Sequence, residues 1–203
     1  MRVLQALRLL AFSDLHRDRR QAARLVEMAS RADVVVGVGD YASNRLGLVR
    51  TIDALRGVSK PTVLIPGNNE TDAALWRACA GFAGATVLHG EATEIDGKCF
   101  FGLGGGVPPT PLPWSFDLSE DEAAGVLARC PTGAILVVHS PPRGCVDQVF
   151  GRHLGSRAVR AAIEEKGPRL VLCGHIHQAW RQEGVVGKSR VVNVGPKGMY
   201  FDV

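Results

Sequence analysis

Residues 7–16 read Leu-Arg-Leu-Leu-Ala-Phe-Ser-Asp-Leu-His. An aliphatic run of strand length ends abruptly in a hydroxyl, a carboxylate and an imidazole. Continuous apolar runs of roughly four to eight residues suit strands buried on both faces. They recur at Leu7–Phe12, Asp33–Val38, Thr62–Ile65, Thr86–Leu88, Ala134–Val138 and Leu170–Cys173. Between them Arg19–Ala29, Leu46–Leu55, Thr71–Cys79, Glu120–Ala128 and Ser156–Glu165 carry apolar residues at helical spacing. Ser119 with Glu122 forms a capping box, Thr71 and Ser156 suit two further helix starts, and Gly167-Pro168 ends the last helix.

Two stretches break the alternation. Glu91–Leu103, turning at Gly97-Lys98, and Ala179–Val194, turning near Gly187-Lys188, read as hairpins. Gly102–Pro113 is too rich in Gly and Pro to be anything but loop, and Trp114 and Phe116 follow it. These signals predict a layered α/β architecture with mixed sheets and outer helices. With no repeat or linker in view, residues 1–203 are expected to form a single domain.

Composition narrows the class. The chain has 203 residues, 46% hydrophobic and 22% charged, enough apolar content to offset chain entropy and exclude disorder. No apolar run is long enough to cross a bilayer. Met1–Ser13 has a faint signal-peptide character, but Arg8 interrupts it, so a first strand and a cytoplasmic location are expected. The net charge of +4 is spread along the chain, which favours anionic substrates without arguing for specific nucleic-acid binding. Cys79, Cys99, Cys130, Cys145 and Cys173 are scattered and contain no C-x-x-C pair, so free thiols are expected.

The informative polar groups collect where apolar strands end, the place where α/β folds bind ligands. They are Ser13-Asp14-Leu15-His16, Gly39-Asp40, Gly67-Asn68-Asn69-Glu70, His139-Ser-Pro-Pro142 and Gly174-His175-Ile176-His177. In extended backbone Asp14 and His16 point to one side and can bind one cation, and His175 and His177 stand in the same relation. Asp40 can bridge two ions, Asn68 offers an amide oxygen, and His139 adds an imidazole. The set is mixed N/O without thiolate, which suits Mn, Fe, Zn, Co or Ni.

The ordered series D-x-H, G-D, G-N-x-E, H-x-P-P, G-H-x-H resembles the signature of calcineurin-like metallophosphoesterases, and the resemblance runs from Leu9 to about Pro196. It is strongest toward the small single-domain prokaryotic phosphoesterases, through His139–Gly144, Gly155-Ser156 and Val192–Pro196. The resemblance implies a layered α-β-β-α sandwich of two mixed sheets flanked by helices. It places one divalent ion on Asp14, His16, Asp40 and His177, and a second on Asp40, Asn68, His139 and His175. Manganese is the leading expectation. It implies hydrolysis of a phosphate ester by in-line attack of a metal-bridging hydroxide, with Asn68 and His139 also shaping the oxyanion environment.

One position departs from the family pattern. Many members carry a histidine general acid where this chain has Asn69, and a carboxamide has no proton to give near neutral pH. Asn69 can still hydrogen-bond a phosphoryl oxygen, and the departure resembles members that act on phosphodiesters. His153, in Gly151–Ser156, is a candidate replacement acid if that segment is flexible. Arg17 and Arg143 are candidate phosphate contacts, Trp114 and Phe116 a candidate pocket wall, and His89 a structural histidine. A small phosphodiester is the expected substrate, nucleotide-like diesters among the candidates, and without a large cap domain the metals should stand open. The competing expectation is a non-catalytic metal-binding or interaction scaffold on the same fold. A nuclease is disfavoured by the dispersed charge, and a protein phosphatase by the Tyr41–Arg45 sequence. The sequence leaves oligomeric state open.

Overall fold

The computed structural model describes residues 6–203; Met1–Gln5, part of the stretch weighed as a signal peptide, lie outside the described residues. The chain runs β1 (Arg8–Phe12), α1 (Arg19–Ala29), β2 (Val34–Val38), α2 (Leu48–Leu55), β3 (Thr62–Ile65), α3 (Asp72–Ala78) and β4 (Ala85–Val87). It continues through β5 (Glu91–Ile95), β6 (Lys98–Leu103), α4 (Glu120–Leu127), β7 (Ile135–Val138), β8 (Gln148–Val149) and β9 (Arg152–His153). It ends with α5 (Arg157–Lys166), β10 (Leu170–Cys173), β11 (Glu183–Val186), β12 (Ser189–Asn193) and β13 (Met199–Asp202).

One sheet has the order β13-β1-β2-β3-β4 and the other β11-β12-β10-β7-β6-β5. Strands β1 to β4 are parallel to one another, as are β6, β7, β10 and β12, while β13, β11 and β5 join antiparallel at the edges. Side-chain alternation explains the layering. Leu9, Ala11, Val34, Val36 and Ile65 of the first sheet share a core with Phe100, Ile135, Val137 and Leu172 of the second. Leu10 and Phe12 point the other way and pack with Leu25, Ile52 and Leu75 from α1, α2 and α3. On the far side Phe101, Leu136 and Val171 meet Leu127 of α4 and Ile163 of α5. The result is the α-β-β-α sandwich. Each such fully buried aliphatic side chain contributes roughly 1.5–3 kcal/mol.

Local signals behave as their chemistry requires. The Ser119–Glu122 capping box is formed, Thr71 and Ser156 cap α3 and α5, and Gly167 closes α5 with φ 56°. The Glu91–Leu103 and Ala179–Val194 stretches form the β5–β6 and β11–β12 hairpins. Three strands have no counterpart in the sequence reading. β13 follows the loop residues Gly195-Pro196 and Gly198 and adds to the edge of β1, and β8 and β9 form a short hairpin. All five cysteines are free. Among the described residues no helix is long and apolar enough to cross a membrane.

Candidate metal centre

The carboxyl ends of β1, β2, β3, β7 and β10 share one rim of the sandwich, and the polar strand ends meet there. They meet in a backbone conformation the sequence did not suggest. Asp14, His16, Asp40 and His175 have φ of 54°, 43°, 59° and 67°, the left-handed region that L-residues avoid. The extended-strand rationale for D-x-H is therefore wrong: two left-handed residues in a turn bring Asp14 and His16 together. Such conformations cost on the order of 1–3 kcal/mol each and concentrate at functional sites. At the end of β2, Gly39 makes the turn into Asp40 possible: at φ 88°, a Cβ there would stand 2.5 Å from the Gly67 nitrogen.

Two ligand-type groups result. Asp14, His16 and His177 each offer a donor atom within 4.8 Å of the others, and so do Asp40, His139 and His175. His175 and His177 thus fall into different groups, as the resemblance implies and contrary to the extended-backbone reading that set them on one side; His177 opens a short helical turn. In the first group His16 Nε2 and His177 Nε2 face each other at 3.0 Å. In the second, Asn68 Oδ1 lies 3.2 Å from His139 Nε2 and 3.1 Å from His175 Nδ1. Asp40 stands between them, with Oδ2 3.6 Å from His16 Nε2 and Oδ1 3.5 Å from His139 Nε2.

Both tautomers that matter are fixed from behind. His139 Nδ1 donates to the Val38 carbonyl at 2.8 Å and His16 Nδ1 to the Ala42 carbonyl at 3.2 Å, which leaves each Nε2 free as a donor to a cation. Converging imidazole lone pairs, carboxylates and one amide oxygen fit a pair of divalent ions of the N/O-binding type.

Several supports were invisible in the sequence. Trp180 Nε1 donates to Asp14 Oδ2 at 3.0 Å while its ring lies 4.5 Å from that of His177. Glu70, fully buried, accepts from the backbone N–H groups of Asp40, Ala42 and Gly67. Asn68 Nδ2 donates to Ser115 Oγ, which donates to Asp117, so its amide oxygen is turned toward the histidines. The trace available was the glutamate that closes G-N-x-E; Trp180, Ser115 and Asp117 left none.

Asn69 is oriented differently from the expectation that it reaches a phosphoryl oxygen. Its Nδ2 donates to Asp40 Oδ2 at 2.7 Å, its N–H donates to Asp40 Oδ1, and its Oδ1 accepts from the Asn44 N–H. It braces the central carboxylate.

The field within the site follows from crowding. Burial opposes ionisation of Asp40, yet His139, His16 and His175 outweigh it and hold the carboxyl well below its usual range. Burial lowers His139, but the Asp40 carboxylate wins and raises it to about 9. Burial and the neighbouring His139 depress His175 to about 4. Burial and Asp40 push Glu70 up to about 7 against its backbone donors.

A shallow pocket of about 260 Å³ opens over the two groups, lined by His16, Asp40, Asn68, His175, His177 and Trp114 among others. Trp114 is therefore at the site, whereas the Phe116 ring sits 5.4 Å from His89 and anchors the loop. His89 accepts from the Gly104 N–H, as suits a structural histidine. His153 does not belong to a free segment: it lies in the β8–β9 hairpin with Nδ1 on Asp147 Oδ1 at 2.6 Å and Nε2 3.2 Å from Gln148. Arg143 Nη1 donates to the His153 carbonyl, away from the pocket lining. Arg17 lines a second, larger cleft.

Two carboxylate–imidazole groups stand side by side on the rim of stacked mixed sheets, each a candidate to hold a metal ion. The chain belongs to the calcineurin-like phosphoesterase superfamily, whose domain model matches residues 7–202. Superfamily and ligand groups together support a metal-dependent phosphoester hydrolase. A Thermus thermophilus protein superposes with a TM-score of 0.76 at 19% identity, covering 95% of this chain and 91% of that one. A dimetal phosphatase from Danio rerio gives 0.64 at 13% identity, covering 95% and 88%. The phosphopantetheinyl hydrolase of Mycobacterium tuberculosis gives 0.62 at 15% identity, covering 95% and 90%. These likenesses are of fold. The UPF0046 protein K07C11.7 of Caenorhabditis elegans is 29% identical over 110 residues, 53% of this chain and 37% of that protein.

Proposed function

We propose that this chain hydrolyses phosphodiester bonds of a small substrate, with one divalent ion on Asp14, His16, Asp40 and His177 and another on Asp40, Asn68, His139 and His175. The observation that carries it is the position of Asp40, whose two carboxylate oxygens face one imidazole of each group. Manganese is the leading candidate for both sites. When bound, such a pair supplies a water-derived nucleophile near neutral pH and neutralises charge on the phosphoryl oxygens.

The residues of the chain do the positioning. Val38 and Ala42 carbonyls hold His139 and His16 with Nε2 outward, and Asn69 and Glu70 fix the Asp40 turn. Trp114 gives the shallow pocket a wall against which a substrate group can stack. Asn69 supplies no proton, and His153 sits in the β8–β9 hairpin outside the lining of the pocket over the two groups, so neither protonates a leaving group. That selects esters whose leaving oxygen departs without strong acid assistance, and it favours diesters over monoesters.

The test is metal-replete hydrolysis of bis(p-nitrophenyl) phosphate, cyclic nucleotides and p-nitrophenyl phosphate. Diesters should be hydrolysed faster than the monoester, and Asp40→Asn should cut turnover by more than about 100-fold, since removing a ligand exceeds removing a support. Unchanged turnover in a folded variant, or a preference for the monoester, would contradict the reading. Full metal occupancy without turnover would favour a scaffold.

A further inference from the structure

A large cleft on the described surface is separate from the pocket over the metal centre. It holds about 980 Å³, a size typical of small-molecule sites, and its lining includes Arg17, Arg19, Arg45, Arg50, Arg56 and Arg77 with no carboxylate. Arg56 is tied to Asp53 and to the carbonyls of Ala78 and Ala80. The other five are exposed and form no ion pair among the described residues. A chain with net charge +4 has therefore drawn five uncompensated guanidinium groups to one concavity. Their mutual repulsion opposes that arrangement unless an anion relieves it.

The cleft adjoins the metal centre through the chain itself. Arg17 follows His16, and a Cβ on Gly47, at φ 83°, would collide with the Arg17 side chain, so that glycine makes room for it. Arg45 donates its N–H to the Asn69 carbonyl and its Nε to the Trp114 carbonyl, joining the cleft to the wall of the smaller pocket.

We infer that this cleft binds the non-scissile end of the substrate, and that this end carries at least one further phosphate. The inference rests on the phosphodiesterase reading for the scissile end and deepens it. Guanidinium forks match phosphate oxygens bidentately, and five of them suit a dianion or a short phosphate chain. The substrate class is a small diester bearing a remote phosphate.

Two probes isolate the claim: thymidine 5′-(p-nitrophenyl phosphate), and the same compound phosphorylated on its 3′-hydroxyl. Scissile bond and leaving group are identical. Metal-replete protein should prefer the phosphorylated compound in kcat/KM by about tenfold or more at low salt, and Arg50→Gln/Arg77→Gln should bring the ratio close to one. Calorimetric binding of tripolyphosphate to the full chain treated with chelator reads the cleft without turnover. Wild type should bind, and the double variant, shown folded by circular dichroism, should bind at least about tenfold more weakly. Arginine-dependent tripolyphosphate binding without diester hydrolysis would keep the cleft and sink the phosphodiesterase reading. Hydrolysis with a ratio unmoved by the substitutions, or tripolyphosphate binding equal in both proteins, would overturn the cleft. So would binding of a single-stranded oligonucleotide far tighter than tripolyphosphate, since that marks a nucleic-acid surface.

Discussion

Trp180 governs the Asp14 group more than its place outside the ligand set suggests. Its indole N–H fixes Asp14 Oδ2, its ring lies against His177, and Gly195 leaves space for it, because a Cβ there would meet the indole at 2.8 Å. Trp180→Phe keeps the stacking and deletes the hydrogen bond. Supports of this kind are worth about 10–100-fold in metal affinity. Titration with Mn²⁺ should show one of two sites weakened by about tenfold; unaltered binding would remove Trp180 from the account. At this scale the candidate ligands are legible in the sequence and the side chains that brace them are not. Asp14, His16, Asp40, Asn68, His139, His175 and His177 are all polar residues ending apolar runs, which a sequence displays directly. Trp180 reaches its partner across 166 positions of sequence, and no local pattern encodes such a contact.

Among the elements, the junction of α4 and α5 is built with unusual economy. Glu120, the first residue of α4, accepts from the N–H groups of Arg157 and Ala158 and from the Ser156 hydroxyl, so one helix's start caps another's. Burial pushes the Glu120 carboxyl up, but those donors and the Arg157 charge outweigh it and hold the group below its ordinary value. A lowered folded value means that the contribution is present above the ordinary value of 4.5 and is lost as pH falls through the folded one. Glu120→Gln should cost about 1 kcal/mol at neutral pH, screened by its exposure, or about 3 °C in Tm. The deficit should shrink on acidification; thermal melts showing it grow would contradict the assignment. The Ser119–Glu122 capping box, the Thr71 and Ser156 caps and the buried strands follow from local patterns, so they are legible in the sequence. β13 is not, because Met199–Asp202, in which Phe201 alone is buried, gains strand character only by pairing with β1. The D-x-H turn escapes a local reading for a related reason: its left-handed backbone is held by distant chain, the Asp14, His16 and Arg17 N–H groups donating to the Gly39, Asp40 and Tyr41 carbonyls.

For the molecule as a whole, the metal centre is where the two sheets are held together by polar groups. Asp14, His16, Asp40 and Asn68 follow strands of one sheet, and His139, His175 and His177 follow strands of the other. Ions bound there select the native state over the unfolded chain. At 100 times the dissociation constant a single site adds about 2.7 kcal/mol, which corresponds to about 5–10 °C in Tm for a chain of this size. Chelation should remove that increment from wild type and leave Asp40→Asn almost unaffected. Equal shifts in both proteins would place the stabilising ions elsewhere.

The most direct test is anomalous diffraction from crystals grown with Mn²⁺. Two peaks should appear at the rim of the sandwich, one among Asp14, His16 and His177 and one among Asn68, His139 and His175, with Asp40 shared between them. Manganese bound elsewhere, or an ordered site with these side chains turned away from any peak, would contradict the account.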